Sequence, residues 1–294
     1  MINFLKYRYF FLSVSVSIII AIFGLFIYKI KTQGQAFNYS VDFQGGTQVL
    51  LKFEKPVKSS EVLSILEKGG FTGASAREFE KDEVLIRVKE YESNVKVLAD
   101  KIIGQIKVDI PDNNVSILQS DAIGPGIGAE LRWKSISSVL FALLFMLLYI
   151  AFRFWSFAYA LGSVAALLHD AVMMLGVFMV FRLEISASVI AAILAVLGYS
   201  INDTIVIFSR IRSNMKAMRG APVVDVVNTS LNQTLKRTLL TSFSTLLTVG
   251  AMFFIGGEAL KDFSLALMIG IFFGTYSSIY IAAPVMMMLY KEKE

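Results

Sequence analysis

Long apolar runs separated by short polar breaks fill most of this chain, and one stretch of about a hundred residues departs from that pattern. Residues 9–28, 135–152, 157–181, 185–208, 239–256 and 263–290 are each long and apolar enough to cross a hydrocarbon core as helix, which takes roughly 17–25 residues. Between the first two, residues 29–134 switch to short alternating segments. Val41 to Phe53, Glu83 to Lys89 and Ser116 to Leu118 read as strands. Ser59 to Lys68, opened by serines and stopped by Gly69-Gly70, reads as a capped helix, and Asn94 to Ile106 as a second. Strand, helix, strand, helix, strand suggests a ferredoxin-like α+β unit. The predicted fold is therefore a membrane all-α bundle of six transmembrane helices with one α+β ferredoxin-like external domain. It divides into residues 1–28, 29–134 and 135–294, with a loop at about 209–238.

Composition agrees, with 55% hydrophobic residues and a mean hydropathy of +0.64. The first span is too long for the apolar core of a signal peptide and lacks a small-residue cleavage pattern, so it is expected to stay as an anchor. Lys6, Arg8, Arg153, Arg210, Arg212, Lys216, Arg219, Lys236, Arg237, Lys291 and Lys293 fall on one side of a six-span arrangement. The positive-inside rule makes that side cytoplasmic and puts both termini there. The other side receives the long insert and two short turns, at 182–184 and 258–262. A net charge of +5 then reports topology and affinity for an anionic bilayer, with no call for nucleic acid. Cysteine is absent, which removes disulfides, thiolate nucleophiles and cysteine metal sites.

The chemistry sits within the spans. Asp203 follows the apolar run from Ile185 to Leu197, and a carboxyl at membrane depth costs on the order of 3 kcal/mol on insertion scales, so it asks for a function. Tyr199, Asn202, Asp203, Val206 and Arg210 recur at three and four and share one helical face. On the fifth span Thr234, Thr238, Thr241, Thr245 and Thr248 make a hydroxyl stripe, which either bonds back to its own helix or lines a hydrated path. A rise of about 1.5 Å per residue puts Asp203 roughly 27 Å from the outer end of its span, at a level compatible with Arg237. The two form a salt bridge or a water-linked pair, or else Arg237 simply snorkels to the headgroups. Movement that breaks such a pair loads or releases a proton.

His169-Asp170 lies mid-span and holds the chain's single histidine. It reads as a proton relay or a buried hydrogen-bonded couple. Metal binding is disfavoured because no further ligand stands at suitable spacing, and one histidine supports no serine triad. Ala266, Gly270, Gly274, Ser278 and Ala282, four apart, let another helix approach closely. No nucleotide-binding loop is present, and neither a metal nor an organic cofactor is expected.

These residues carry a resemblance that extends over the chain. Gly198-Tyr199-Ser200-Ile201-Asn202-Asp203-Thr204-Ile205-Val206-Ile207-Phe208-Ser209-Arg210 resembles the fourth-span signature of the SecD/SecF family of protein-export membrane proteins. Val41-Asp42-Phe43-Gln44-Gly45-Gly46-Thr47 is similar to that family's entry to the external domain. Gly124-Pro125-Gly126-Ile127-Gly128-Ala129-Glu130-Leu131 resembles its entry to the second span, and Ser230 to Ser242 its fifth-span block.

The resemblance implies a bacterial inner-membrane protein that pairs with a SecD-type partner in a twelve-helix assembly of RND type beside the SecYEG channel. It adds YajC and YidC to the partner set, and makes emerging unfolded polypeptide and protons the things handled. It implies that Asp203 is the proton-path carboxylate and Arg237 its basic counterpart, with Asn202, Thr241, His169 and Asp170 in weaker supporting places. Asp42, Gly45, Gly46, Gly198, Gly270 and Gly274 are expected to serve structure. Two positions depart from the family pattern: Ser209 stands where many relatives are acidic, and Ser40 where many have glycine. A small-molecule exporter of RND type and a structural scaffold are the other functional classes; the exporter would bring twelve spans and two large external domains in one chain.

Overall fold

The computed structural model describes residues 1–71, 73–92 and 94–290. Lys291 and Lys293 of the charge pattern lie outside the described residues. In chain order the elements are a 3-10 turn Phe4–Tyr7, α1 (Arg8–Gln33), β1 (Asn38–Tyr39), α2 (Val41–Gln44), β2 (Gly46–Phe53), α3 (Ser59–Lys68), β3 (Ser75–Glu80), β4 (Glu83–Val88), α4 (Val95–Asp109), β5 (Val115–Ile123), α5 (Pro125–Phe154), α6 (Phe157–Val180), β6 (Glu184–Ile185), α7 (Ala187–Ala217), α8 (Val223–Ile255) and α9 (Glu258–Ser277). A π-helical stretch, Ser278–Ala282, then leads into α10 (Ala283–Leu289).

Six helical segments are long and apolar enough to cross a membrane. Their ends overrun the apolar runs. α7 and α8 continue through most of the expected loop at 209–238, reversing only at 218–222, and the expected turn at 258–262 is already helical because the chain reverses at Gly256-Gly257. Polar residues do not end a helix that is packed on a neighbour: Asn214 donates to Ser230 Oγ (2.8 Å) and Gln233 Oε1 (2.7 Å) between α7 and α8, and Arg210 donates to the same glutamine oxygen (2.6 Å). α6, α7 and the α9–α10 segment form the buried centre, while α1, α5 and α8 flank it with exposed apolar faces.

The α+β unit has the order β2-α3-β3-β4-α4-β5, with its four strands arranged β3-β4-β2-β5 and every neighbouring pair antiparallel. Alternation puts Val49, Leu51 and Phe53 of β2, with Val84, Ile86 and Val88 of β4, under the apolar stripes of α3 and α4. β3 was not expected from the sequence; it is an edge strand whose Arg77 and Glu78 carry the charge typical of edges. The expected strand from Val41 is interrupted, because Gly45 (φ +78°) and Gly46 (φ +123°) turn the chain between α2 and β2. The expected serine cap of α3 is also absent: its N-cap is Lys58, with no side-chain bond.

Candidate functional site

Asp203 is buried in α7, and the groups acting on its carboxyl are the Arg237 charge and the Thr241 hydroxyl, both from α8. Asp203 and Arg237 stay short of a closed ion pair. Arg237 is exposed and lines a cleft of about 510 Å³ between α7 and α8, together with Val206, Ser209, Arg210 and Gln233. Ser209 therefore faces open space. Asn202 is exposed and is not gathered into the site.

Most of the threonine stripe bonds to its own helix. Thr234, Thr241, Thr245 and Thr248 donate to carbonyls three or four residues back. Thr245 also reaches Tyr199 across to α7 at 3.3 Å, and Thr238 Oγ1 is buried without a partner. Small residues hold the helices close enough for these contacts. A side chain at Gly270 would meet Val196 at 2.3 Å and Met174 at 2.9 Å, and one at Gly274 would meet Ser200 at 3.2 Å. At Gly198 nothing lies within 4 Å, so the expectation of a structural need for that glycine has no packing basis.

His169 and Asp170 are buried in α6, at the junction with α7 and α9. Asp170 Oδ1 lies 3.2 Å from His169 Nδ1, and Oδ2 accepts from Ser200 Oγ (2.7 Å) and Ser277 Oγ (2.9 Å). Ser200, which ties this cluster to α7, stands three residues before Asp203 on that helix.

A second set of polar contacts, which the sequence reading missed, ties the α+β unit to the bundle. Asp42 Oδ2 accepts from the Ala187 amide (3.0 Å), so its charge sits at the N-terminus of α7, where the helix dipole favours an anion. Ser40 caps α2, accepting from the Asp42 amide (3.2 Å) and donating to the Asp42 carboxylate (3.0 Å), which gives the departure from glycine a purpose. β1 pairs in parallel with β6. Arg87 of β4 pairs with Glu184, and Arg77 of β3 with Asp262 of α9 at 2.9 Å. Burial lowers the pKa of the Arg87 guanidinium, while the Asp262 and Asp42 carboxylates raise it. Between sheet and bundle Asp42, Arg77, Arg87 and Asp262 line a polar cavity of about 270 Å³ with Gln48, Gln119 and Ser188. The one available signal was the placement of acids at both short turns, Glu184 and Asp262, opposite an insert that carries Arg77 and Arg87.

Comparison with known proteins adds family relations. The family described as "Protein export membrane protein SecD/SecF, C-terminal" matches residues 105–292, and the "SecD/SecF GG Motif" matches residues 34–57, which include Gly45-Gly46. The chain is 39% identical over 259 residues to "Protein translocase subunit SecF" of Vibrio alginolyticus, covering 87% of this chain and 82% of that protein. It is 37% identical over 294 residues to the protein of the same name from Thermodesulfovibrio yellowstonii, covering 99% and 95%. "Protein translocase subunit SecDF" of Thermus thermophilus is 41% identical over 251 residues, which is 85% of this chain and 34% of that protein. The crystal structure of SecDF from Thermus thermophilus, titled a translocon-associated membrane protein, superposes with a TM-score of 0.83 at 36% identity, covering 97% of this chain and 38% of that one. The chain thus spans about a third of the SecDF proteins and most of the length of the SecF proteins.

Proposed function

The chain belongs to the SecD/SecF family of protein-export membrane proteins, and from that membership we propose that it acts as the SecF subunit of a proton-driven accessory of polypeptide export. Its partner is a SecD protein, as the matching SecDF chains suggest by carrying both names in one polypeptide. SecYEG, with YajC and YidC, completes the assembly in which emerging unfolded polypeptide is handled. The protein sits in the bacterial inner membrane with both termini cytoplasmic and the α+β unit outside; the basic side chains around 210–237, at the end of the bundle away from that unit, support this orientation. The order β-α-β-β-α-β and the antiparallel arrangement β3-β4-β2-β5 support a ferredoxin-like reading of the unit. The division at residues 1–28, 29–134 and 135–294 describes the same arrangement, with α1 and α5 extending into the external layer.

The observation that carries the reading is Asp203: a carboxyl buried within a membrane helix, acted on by Arg237 from the neighbouring helix without a closed ion pair. A carboxylate whose counter-charge is near but unlocked exchanges a proton when the helices shift. Because α7 starts on the Asp42 carboxylate and α9 starts beside the Arg77–Asp262 pair, a shift of either helix is delivered to the α+β unit. The transmembrane potential supplies about 2.3 kcal/mol per charge per 100 mV, enough to bias such docking contacts.

The test is ATP-independent completion of preprotein translocation into vesicles containing this chain and its SecD partner under an imposed proton gradient. Asp203→Asn is expected to abolish the gradient's stimulation at equal complex abundance, and Ser209→Ala to leave it intact. Stimulation that survives Asp203→Asn would assign the buried charges to assembly and the chain to a scaffold role.

A further inference from the structure

The proton path at Asp203 makes no use of the most enclosed ionisable group in the bundle. Asp170 Oδ2 accepts from two serine hydroxyls, and Oδ1 lies against His169 Nδ1. Among the described residues, His169 is the only basic group acting on it. The other ionisable side chains nearby are Tyr276 and Tyr280. The Tyr276 ring lies 5.7 Å from the imidazole, and its hydroxyl is engaged with Ser15 (2.9 Å) and the Phe11 carbonyl (3.1 Å) of α1; Tyr280 packs against Tyr276 at 5.3 Å. On α7, Asp203 stands three residues beyond Ser200.

A carboxylate at Nδ1 fixes that nitrogen as the donor, which leaves Nε2 of the neutral ring as an acceptor. Nε2 is buried and has no hydrogen-bond partner in the protein. Orphaned atoms of this kind are rare and ask for a role. A proton added there converts imidazole to imidazolium and takes the couple from a net charge of −1 to zero with no bond broken. In a membrane interior the uncharged total is the cheaper state.

We infer that His169 and Asp170 form a second proton-holding couple, loaded at His169 Nε2, whose occupancy is passed to α7 and α9 through the Ser200 and Ser277 hydroxyls that share one carboxylate oxygen. The imidazolium draws the carboxylate towards Nδ1 and slackens its hold on both serines. The π-helical stretch starts at the residue after Ser277, and such stretches frequently occur at functional sites because their bonding register is easily changed. Gly274 allows the approach: a Cβ there would stand 3.2 Å from Ser200 and 3.5 Å from Asp170 Oδ2. The inference rests on the proton-driven reading above and deepens it.

The single histidine makes the test specific. In vesicles holding the chain with its SecD partner, 15N NMR of histidine-labelled protein should pass reversibly from a ring protonated at Nδ1 alone to one protonated at both nitrogens as pH falls from about 8 to 5. Ser200→Ala with Ser277→Ala should shift the midpoint of that transition. His169→Gln should lose most of the gradient-stimulated translocation while the ATP-driven step continues. An unchanged spectrum across that range, a neutral ring protonated at Nε2 throughout, a midpoint indifferent to the serines, or full stimulation in His169→Gln would overturn the inference. Asp203→Asn separates the two readings: if it abolishes stimulation while the histidine spectrum stays fixed, only the second couple fails.

Discussion

At Gly46 two constraints meet in one residue, since its φ of +123° disfavours any side chain and a Cβ would lie 2.4 Å from the Val88 carbonyl oxygen. Gly46→Ala is expected to cost about 2–4 kcal/mol, combining backbone strain with a collision that rigid backbone cannot relieve. A lower unfolding midpoint of the purified complex checks it. Gly198→Ala, in open space on α7, is expected to be neutral or stabilising by about 0.5–1 kcal/mol with transport unchanged. Single residues were therefore unevenly legible. Asp203 and the His169-Asp170 couple stood out because a charge in an apolar run is anomalous on its own terms. The need for Gly46 and the indifference of Gly198 became visible only with the neighbouring backbone in place, and Ser200 and Ser277 looked like any other small polar residues until both pointed at one oxygen.

For elements, length and periodicity carried most of the information. All six membrane-length helices were legible because twenty apolar residues admit few other structures, whereas their ends were not, since Arg210, Asn214 and Gln233 satisfy one another across α7 and α8 and let the helices run on. β3 escaped for the opposite reason: an edge strand buries little and needs no strong apolar signature. Its Arg77, and Arg87 beside it, hold the α+β unit down with unequal force. The Arg87 and Glu184 side chains are 17% and 16% exposed, so Arg87→Gln strands a largely desolvated carboxylate at a cost of about 3 kcal/mol. The Arg77 side chain is 39% exposed, and Arg77→Gln should cost no more than about 1 kcal/mol. Amide hydrogen exchange at Tyr39 and Ile185 is the readout. It should quicken strongly in Arg87→Gln, slightly in Arg77→Gln, and be partly restored when Glu184→Gln is combined with Arg87→Gln, because the replacement removes the unpaired charge.

For the molecule as a whole, α1 is the least enclosed of the spans, yet the chain just before it is fixed at one place. The Phe4 and Leu5 side chains are buried, and four hydrogen bonds join the backbone of Ile2 and Phe4 to the Asn228 and Asn232 side chains of α8. Such bonds contribute about 1 kcal/mol each. Asn228→Ala with Asn232→Ala should release this segment, seen as faster proteolytic trimming of the first residues while the α+β unit stays protected. Phe4 and Asn228 are 224 positions apart in the chain. At about 5–20 residues per second, a ribosome delivers the second some 10–45 seconds after the first. Throughout that interval the two buried side chains and the Ile2 and Phe4 amides lack their α8 docking place, and membrane, water or a helper must shelter them. Closure of the amino terminus is thus among the late events in the making of the molecule, and a clippable terminus distinguishes a chain still awaiting its fifth span from one that has received it.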